Sequence, residues 1–99
     1  MKALKDIIRE ARLQQGIVLR EVASATKIDQ TIINKIELGE RKPSREQIEK
    51  LADFYKLDKD ELIIAWKSDL VYNDLKDEKL ASQILKVAKQ KIEYSKKDK

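Results

Sequence analysis

The sequence predicts an all-α fold, and three observations carry that prediction. Apolar residues recur at helical spacing along most of the chain, and no stretch shows strand-like alternation. Residues that interrupt helices are scarce: the 99 residues include two glycines and one proline, and all three fall between the periodic stretches. Composition agrees, because Ala, Leu, Ile, Lys and Glu are plentiful, charged residues make up 40% and aromatic residues 5%. A chain of this length forms one domain with room for an extension.

The first helix is expected over about Ala3 to Gln14, where Leu4, Ile8 and Ala11 share a face and Gly16 offers a stop. A second, short helix covers about Leu19–Thr26 and turns Val22, Ala23 and Thr26 inward. The third spans about Asp29–Leu38. The Asp29 carboxylate can accept the orphan amide protons of its first turn, and Gly39 ends it. Ser44 opens a fourth helix, and Gln47 three residues later completes a capping box; Ile48, Leu51, Ala52 and Tyr55 form its inner face. Asp58 and Glu61 repeat that spacing ahead of a fifth helix carrying Leu62, Ile63 and Trp66. Beyond about Ser68 the pattern blurs through DLVYNDLKD. A sixth, amphipathic helix is then expected over roughly Glu78–Glu93, followed by a frayed basic tail, YSKKDK. Residues 1–68 thus read as a five-helix domain and residues 69–99 as a C-terminal helical extension.

Composition also narrows function. Without cysteine there is no disulfide, zinc-thiolate site or thiol nucleophile. Without histidine the commonest general base and metal ligand is missing. There is no glycine-rich phosphate loop and no DxDxDG-like metal spacing, so the many acidic residues read as solvated helix faces. Neither an enzyme nor a cofactor or metal is expected. No apolar run approaches the roughly 20 residues of a membrane span, and MKALKDIIREAR lacks a signal-peptide core, so a cytoplasmic protein with no membrane partner is expected. The net charge of +4 permits a polyanionic partner.

The third helix narrows function furthest. On a wheel of about 100° per residue, Gln30, Thr31, Asn34 and Lys35 fall within an arc of about 140°. Ile32, Ile33 and Ile36 occupy the other side. The polar arc holds amide, hydroxyl and ammonium groups, which read base edges in the major groove: Gln or Asn toward adenine, Lys toward guanine, Thr toward polar edges or the thymine methyl. Arg41 and Lys42 follow in a loop where they can meet phosphates, with Arg45 a further candidate at the start of the fourth helix. Two short helices separated by two or three residues, about Lys27–Ile28, have helix-turn-helix spacing.

From about Leu4 to Ile64 the chain resembles the helix-turn-helix domain of the lambdoid phage repressors and the wider bacterial XRE family. The resemblance is carried by Arg12, Gly16, Val22-Ala23, Ile28-Asp29, Ile33, Ile36-Glu37, Gly39, Arg41-Lys42-Pro43-Ser44, Leu51-Ala52 and Leu57-Asp58; IELGERKPS is close to a family signature. It implies a five-helix lambda-repressor-like domain and a regulator of transcription that binds double-stranded DNA. The order LREVA, KIDQTIINKIELGER, EQIEKLADFYK, DELIIAWKSD is similar to small stand-alone regulators of the restriction–modification controller type.

The resemblance implies base contacts from Gln30, Thr31 and Lys35, the first, second and sixth positions of the recognition helix; Asn34 shares their face. It implies an ion pair between Arg12 and Glu37 that pins the first helix to the third, the alternative for Arg12 being a phosphate contact. Three positions depart from the family pattern. Val18 stands where a capping Ser or Thr is usual, Leu19 where a phosphate-binding Gln is usual, and Lys27 at a turn position often held by Gly.

One recognition helix contacts too few base pairs to find a single site in a genome, so a homodimer on half-sites about one helical turn apart is expected. Its surface is expected in the fifth-helix region, around Leu62, Ile63, Trp66, Leu70 and Val71, with the C-terminal helix supporting it, exchanging between subunits, or folding back on its own domain. The alternative is an antitoxin-type interaction module that binds a partner protein through its C-terminal helix and represses its own operon.

Overall fold

The computed structural model describes residues 1–97 and forms two compact units, Met1–Asp69 and Leu70–Lys99. Its elements are α1 (Leu4–Gln14), α2 (Leu19–Thr26), α3 (Gln30–Leu38), α4 (Arg45–Tyr55), α5 (Lys59–Leu75) and α6 (Ala81–Lys97), with no strand among the described residues. The fold is all-α, with five helices in the order expected of the helix-turn-helix arrangement the sequence resembles and a further C-terminal helix.

The first unit is built around one apolar core. Ile8, Val22, Ile33, Ile48 and Leu51 are fully shielded from solvent, and Leu4, Ala11, Ile28, Ile36, Ala52, Tyr55 and Leu62 complete the cluster. α3 packs against α1 and α2, and α4 closes on both of those. The inner positions of α1, α2 and α4 are those that the helical spacing marks. α1 has no side-chain cap of its own, because Ala3 precedes it. Its start is satisfied from a distance: the Asp69 carboxylate accepts the Leu4 amide at 2.9 Å, placing a negative charge at the positive end of the helix.

Two boundaries differ from expectation. α5 runs on through DLVYNDL to Leu75 instead of stopping near Ser68. No glycine or proline interrupts it, so each added residue gains a backbone hydrogen bond once the helix is nucleated. The pattern blurs there because Leu70, Val71 and Tyr72 are consecutive and spread apolar groups over about 200° of the helix, so no narrow stripe marks it. α6 begins at Ala81 instead of Glu78, since the Glu78 carboxylate accepts the Leu80 amide (3.4 Å) and its carbonyl the Ala81 amide (3.2 Å), making residues 78–80 a capping turn.

The tail expected to fray from Tyr94 is helical as far as Lys97, where Lys96 and Lys97 suit the negative end of the helix dipole. Asp98 and Lys99 lie outside the described residues. In the second unit α6 buries none of its 17 residues. Among the described residues no helix is long and apolar enough to cross a membrane.

Candidate nucleic-acid interface

The turn ahead of α3 is organised by one buried hydroxyl. Thr26 Oγ1 donates to the Val22 carbonyl at 2.7 Å and accepts the Ile28 amide at 3.3 Å, tying the end of α2 to the start of the turn. Lys27 takes the left-handed conformation, φ 62°, where Cβ crowds the backbone and Gly is the usual choice. Ile28 is 4% exposed and anchors the turn in the core. The Asp29 carboxylate then accepts the Thr31 amide at 2.8 Å, satisfying an orphan donor and fixing the first turn of α3.

From that start the two faces of α3 separate. Ile33 and Ile36 are buried and Ile32 half-buried, while Gln30, Thr31, Asn34 and Lys35 are all exposed. The far end is also closed. The Glu40 amide donates to the Lys35 carbonyl (2.9 Å) and the Gly39 amide to the Ile36 carbonyl (3.1 Å), a Schellman arrangement. Gly39 has φ 77°, a conformation that favours glycine, while a Cβ there would press only on the flexible side chain of Lys5, 3.0 Å from its Cδ.

The loop that follows is held at both ends. Pro43 is buried, and a reciprocal capping box closes on α4: Gln47 N to Ser44 Oγ at 3.2 Å and Ser44 N to Gln47 Oε1 at 3.0 Å. Arg41 and Lys42 lie exposed between these anchors, and Arg45 is exposed at the first position of α4. α2 begins without a side-chain bond at Val18, which has no acceptor to offer, and Leu19 is half-buried against the core.

Behind α3 lies a clamp. Arg12 Nε donates to Glu37 Oε2 at 2.8 Å and Arg12 Nη2 to Glu37 Oε1 at 2.9 Å, a bidentate pair joining α1 to α3. Arg12 Nη1 donates to the Ile17 carbonyl at 3.2 Å, so all three guanidinium nitrogens face inward. The side chains are 15% and 4% exposed. The bonds to Glu37, working against desolvation, raise the guanidinium pKa above its ordinary value. Tyr55 lies in the same region with its hydroxyl buried and without a partner. Burial, reinforced by the Glu37 charge, pushes its pKa up to about 12.

Of the residues expected at a subunit surface, Leu62 is not available. It is 1% exposed and belongs to the core of its own unit, because the second turn of α5 faces inward. Ile63 and Trp66 are half-buried against that core; Leu70 is half-buried and Val71 exposed in the second unit.

Two long-range polar contacts had no signal strong enough to find them in advance. Asp69 at the start of α1 is one; the other is Gln15, whose Nε2 donates to the Tyr55 carbonyl at 3.1 Å and satisfies the end of α4. The only hint was negative: Ala3 cannot cap α1, so an acceptor had to come from elsewhere.

A family model described as helix-turn-helix matches residues 8–62, more than half of the chain. No curated protein and no solved structure matches it.

Proposed function

The chain belongs to the helix-turn-helix family, as an XRE-type, lambdoid-repressor-like DNA-binding regulator of transcription, and from that premise we propose that it acts as a homodimer on a (pseudo)palindromic operator with α3 in the major groove. The observation that carries this reading is the state of α3. It is capped at both ends and clamped from behind by Arg12, and it presents Gln30, Thr31, Asn34 and Lys35 together on its free face. A reader whose backbone is held this way loses little backbone freedom on binding, and the ordering cost falls on its exposed side chains. Gln30 and Asn34 offer amides suited to adenine, Lys35 an ammonium suited to guanine, and Thr31 a hydroxyl and a methyl. Arg41, Lys42 and Arg45 contact phosphate and set the register. Arg12 serves as a clamp, not as an anchor on DNA.

The protein is a repressor of the restriction–modification controller type, working in the cytoplasm of a bacterium or on behalf of a phage, and it binds without catalysis or cofactor. Selection of bound duplexes from a random pool gives the half-site, its symmetry and its spacing. On the selected site Lys35→Ala or Gln30→Ala costs about 1–3 kcal/mol and relaxes preference at one position, whereas Lys42→Ala weakens all duplexes alike and reduces the salt slope by about 1. The same uniform loss from both kinds of variant would remove the distinction between reader and anchor. A second reading, an antitoxin-type module that also controls its own operon, is favoured by one observation: the apolar side of α6 is unburied and open to a partner protein.

A further inference from the structure

We propose that Lys5, in the first turn of α1, is a further phosphate anchor: with Arg41 and Lys42 it forms a cation cluster at the C-terminal end of α3 that grips neighbouring phosphates of one DNA strand. The inference rests on the reading that α3 enters the major groove, and it adds to that reading a contact from a separate helix.

Lys5 is far from the basic loop in sequence, and the fold carries it there. Leu4 and Ile8 are buried on the inner side of α1, and Lys5 stands about 100° round from Leu4, at the edge of that side. The turn is pinned, because the Asp69 carboxylate accepts the Leu4 amide at 2.9 Å. From this turn the Lys5 side chain reaches across to the stop of α3. A Cβ at Gly39 would lie 3.0 Å from Lys5 Cδ, 3.8 Å from Cε and 3.6 Å from Nζ, so the outer part of the side chain runs over that glycine. Lys5 is nevertheless exposed, and among the described residues its ammonium forms no ion pair.

The negative end of the α3 dipole attracts one cation to this place. Three gather there. Arg41 and Lys42 follow Gly39 by two and three residues, at most about 11 Å along the chain, which is close to one Debye length at physiological salt. Both are exposed, and among the described residues neither forms an ion pair. Nearby acids give little relief: Arg12 already occupies Glu37, and Glu40 alone remains in the loop. Unpaired cations at this spacing repel one another until a polyanion neutralises them. A DNA strand presents one phosphate per 3.4 Å or so of helix axis, which suits a cluster and not a single charge. Anchors on two elements also do what one loop cannot. Phosphate contacts fix orientation, and a grip from both α1 and the loop fixes the tilt of α3 in the groove.

The test measures affinity of the full chain for its selected duplex across a salt series. Lys5→Ala is expected to weaken all duplexes by the same factor and to lower the slope of log affinity against log salt by about 1, as Lys42→Ala does. The two changes together are expected to lower it by about 2. Lys5→Arg keeps the charge and should keep the slope. Lys59→Ala, which removes a cation paired with Glu49 at the start of α5, should leave the slope unchanged. Ethylation of single phosphates should interfere with wild-type binding at a phosphate where it no longer interferes with Lys5→Ala, next to the one lost in Lys42→Ala. A thermal midpoint lowered in Lys5→Ala with the slope unchanged would overturn the proposal and leave Lys5 as a stabiliser of the α3 end. A loss confined to one base position, or a slope lowered equally by Lys59→Ala, would overturn it too. The reading of α3 fails separately: a chain that selects no duplex sinks operator recognition and this anchor with it, whereas a selected duplex with an unchanged slope in Lys5→Ala sinks the anchor alone.

Discussion

α3 and α6 are both amphipathic, yet they end in opposite states. The nine residues of α3 bury Ile33, Ile36 and Glu37 in one core, whereas the seventeen of α6 bury nothing. Amphipathic spacing states a demand for a partner; it does not say where the partner is. For α3 the demand is met inside its own unit by α1 and α2. That leaves its polar face exposed on a helix whose backbone is fixed by packing and caps. For α6 the demand is open, and the apolar side is what remains available. The face left free is polar on α3 and apolar on α6.

Changes that act on one helix and leave the other untouched sharpen this contrast. Arg12→Ala strands Glu37, whose side chain is 4% exposed, and should lower the stability of the first unit by about 3 kcal/mol, read as a shift of the urea midpoint. Breaking the exposed Lys89–Glu93 pair of α6, 3.9 Å apart, should leave that midpoint where it was. If the two changes had equal effects, the contrast between a clamped and an unclamped helix would be wrong.

Ile33→Ala removes a fully buried side chain and should cost about 2–5 kcal/mol in the same measurement. Ile84→Ala, made at a 40% exposed position, should barely move the unfolding of the first unit. At the turn between α2 and α3, Lys27→Gly removes the crowding at φ 62° and should stabilise the first unit by about 1 kcal/mol, a rise visible in its thermal midpoint.

The smallest effect at neutral pH is expected from Tyr55→Phe, which deletes a hydroxyl that has no hydrogen-bond partner. It should matter only in alkali. Tyr55 is raised from 10.0 to about 12 in the folded state, so the folded protein holds this proton more tightly than the unfolded chain. The associated stability is fully present below pH 10 and is lost as pH rises toward 12. The difference in urea midpoint between the wild type and Tyr55→Phe should therefore change across that window; a constant difference would show that the hydroxyl is not held neutral by burial.

The legible parts of this molecule are those governed by local rules. Asp29, Ser44 with Gln47, and Gly39 sit where capping chemistry puts them, and Gln30, Thr31, Asn34 and Lys35 share a face because 100° per residue leaves them no other arrangement. The parts that were not legible depend on long separations or on missing periodicity. Asp69 reaches Leu4 across 65 residues, and Gln15 reaches Tyr55 across 40. The last turns of α5 were hidden because the consecutive Leu70, Val71 and Tyr72 spread over about 200° and blur the apolar stripe that marks a helix.

By itself, the sequence determined the all-α class, the caps of α3 and α4, the inner faces of α1, α2 and α4 and the polar arc of α3, because each follows from neighbours within about one helical turn. Only the tertiary structure decided that Leu62 belongs to the core, that all three nitrogens of Arg12 turn inward, and that α6 buries none of its described residues. Those outcomes depend on which surfaces meet after the helices form, and spacing along the chain carries no information about that meeting until packing has chosen it.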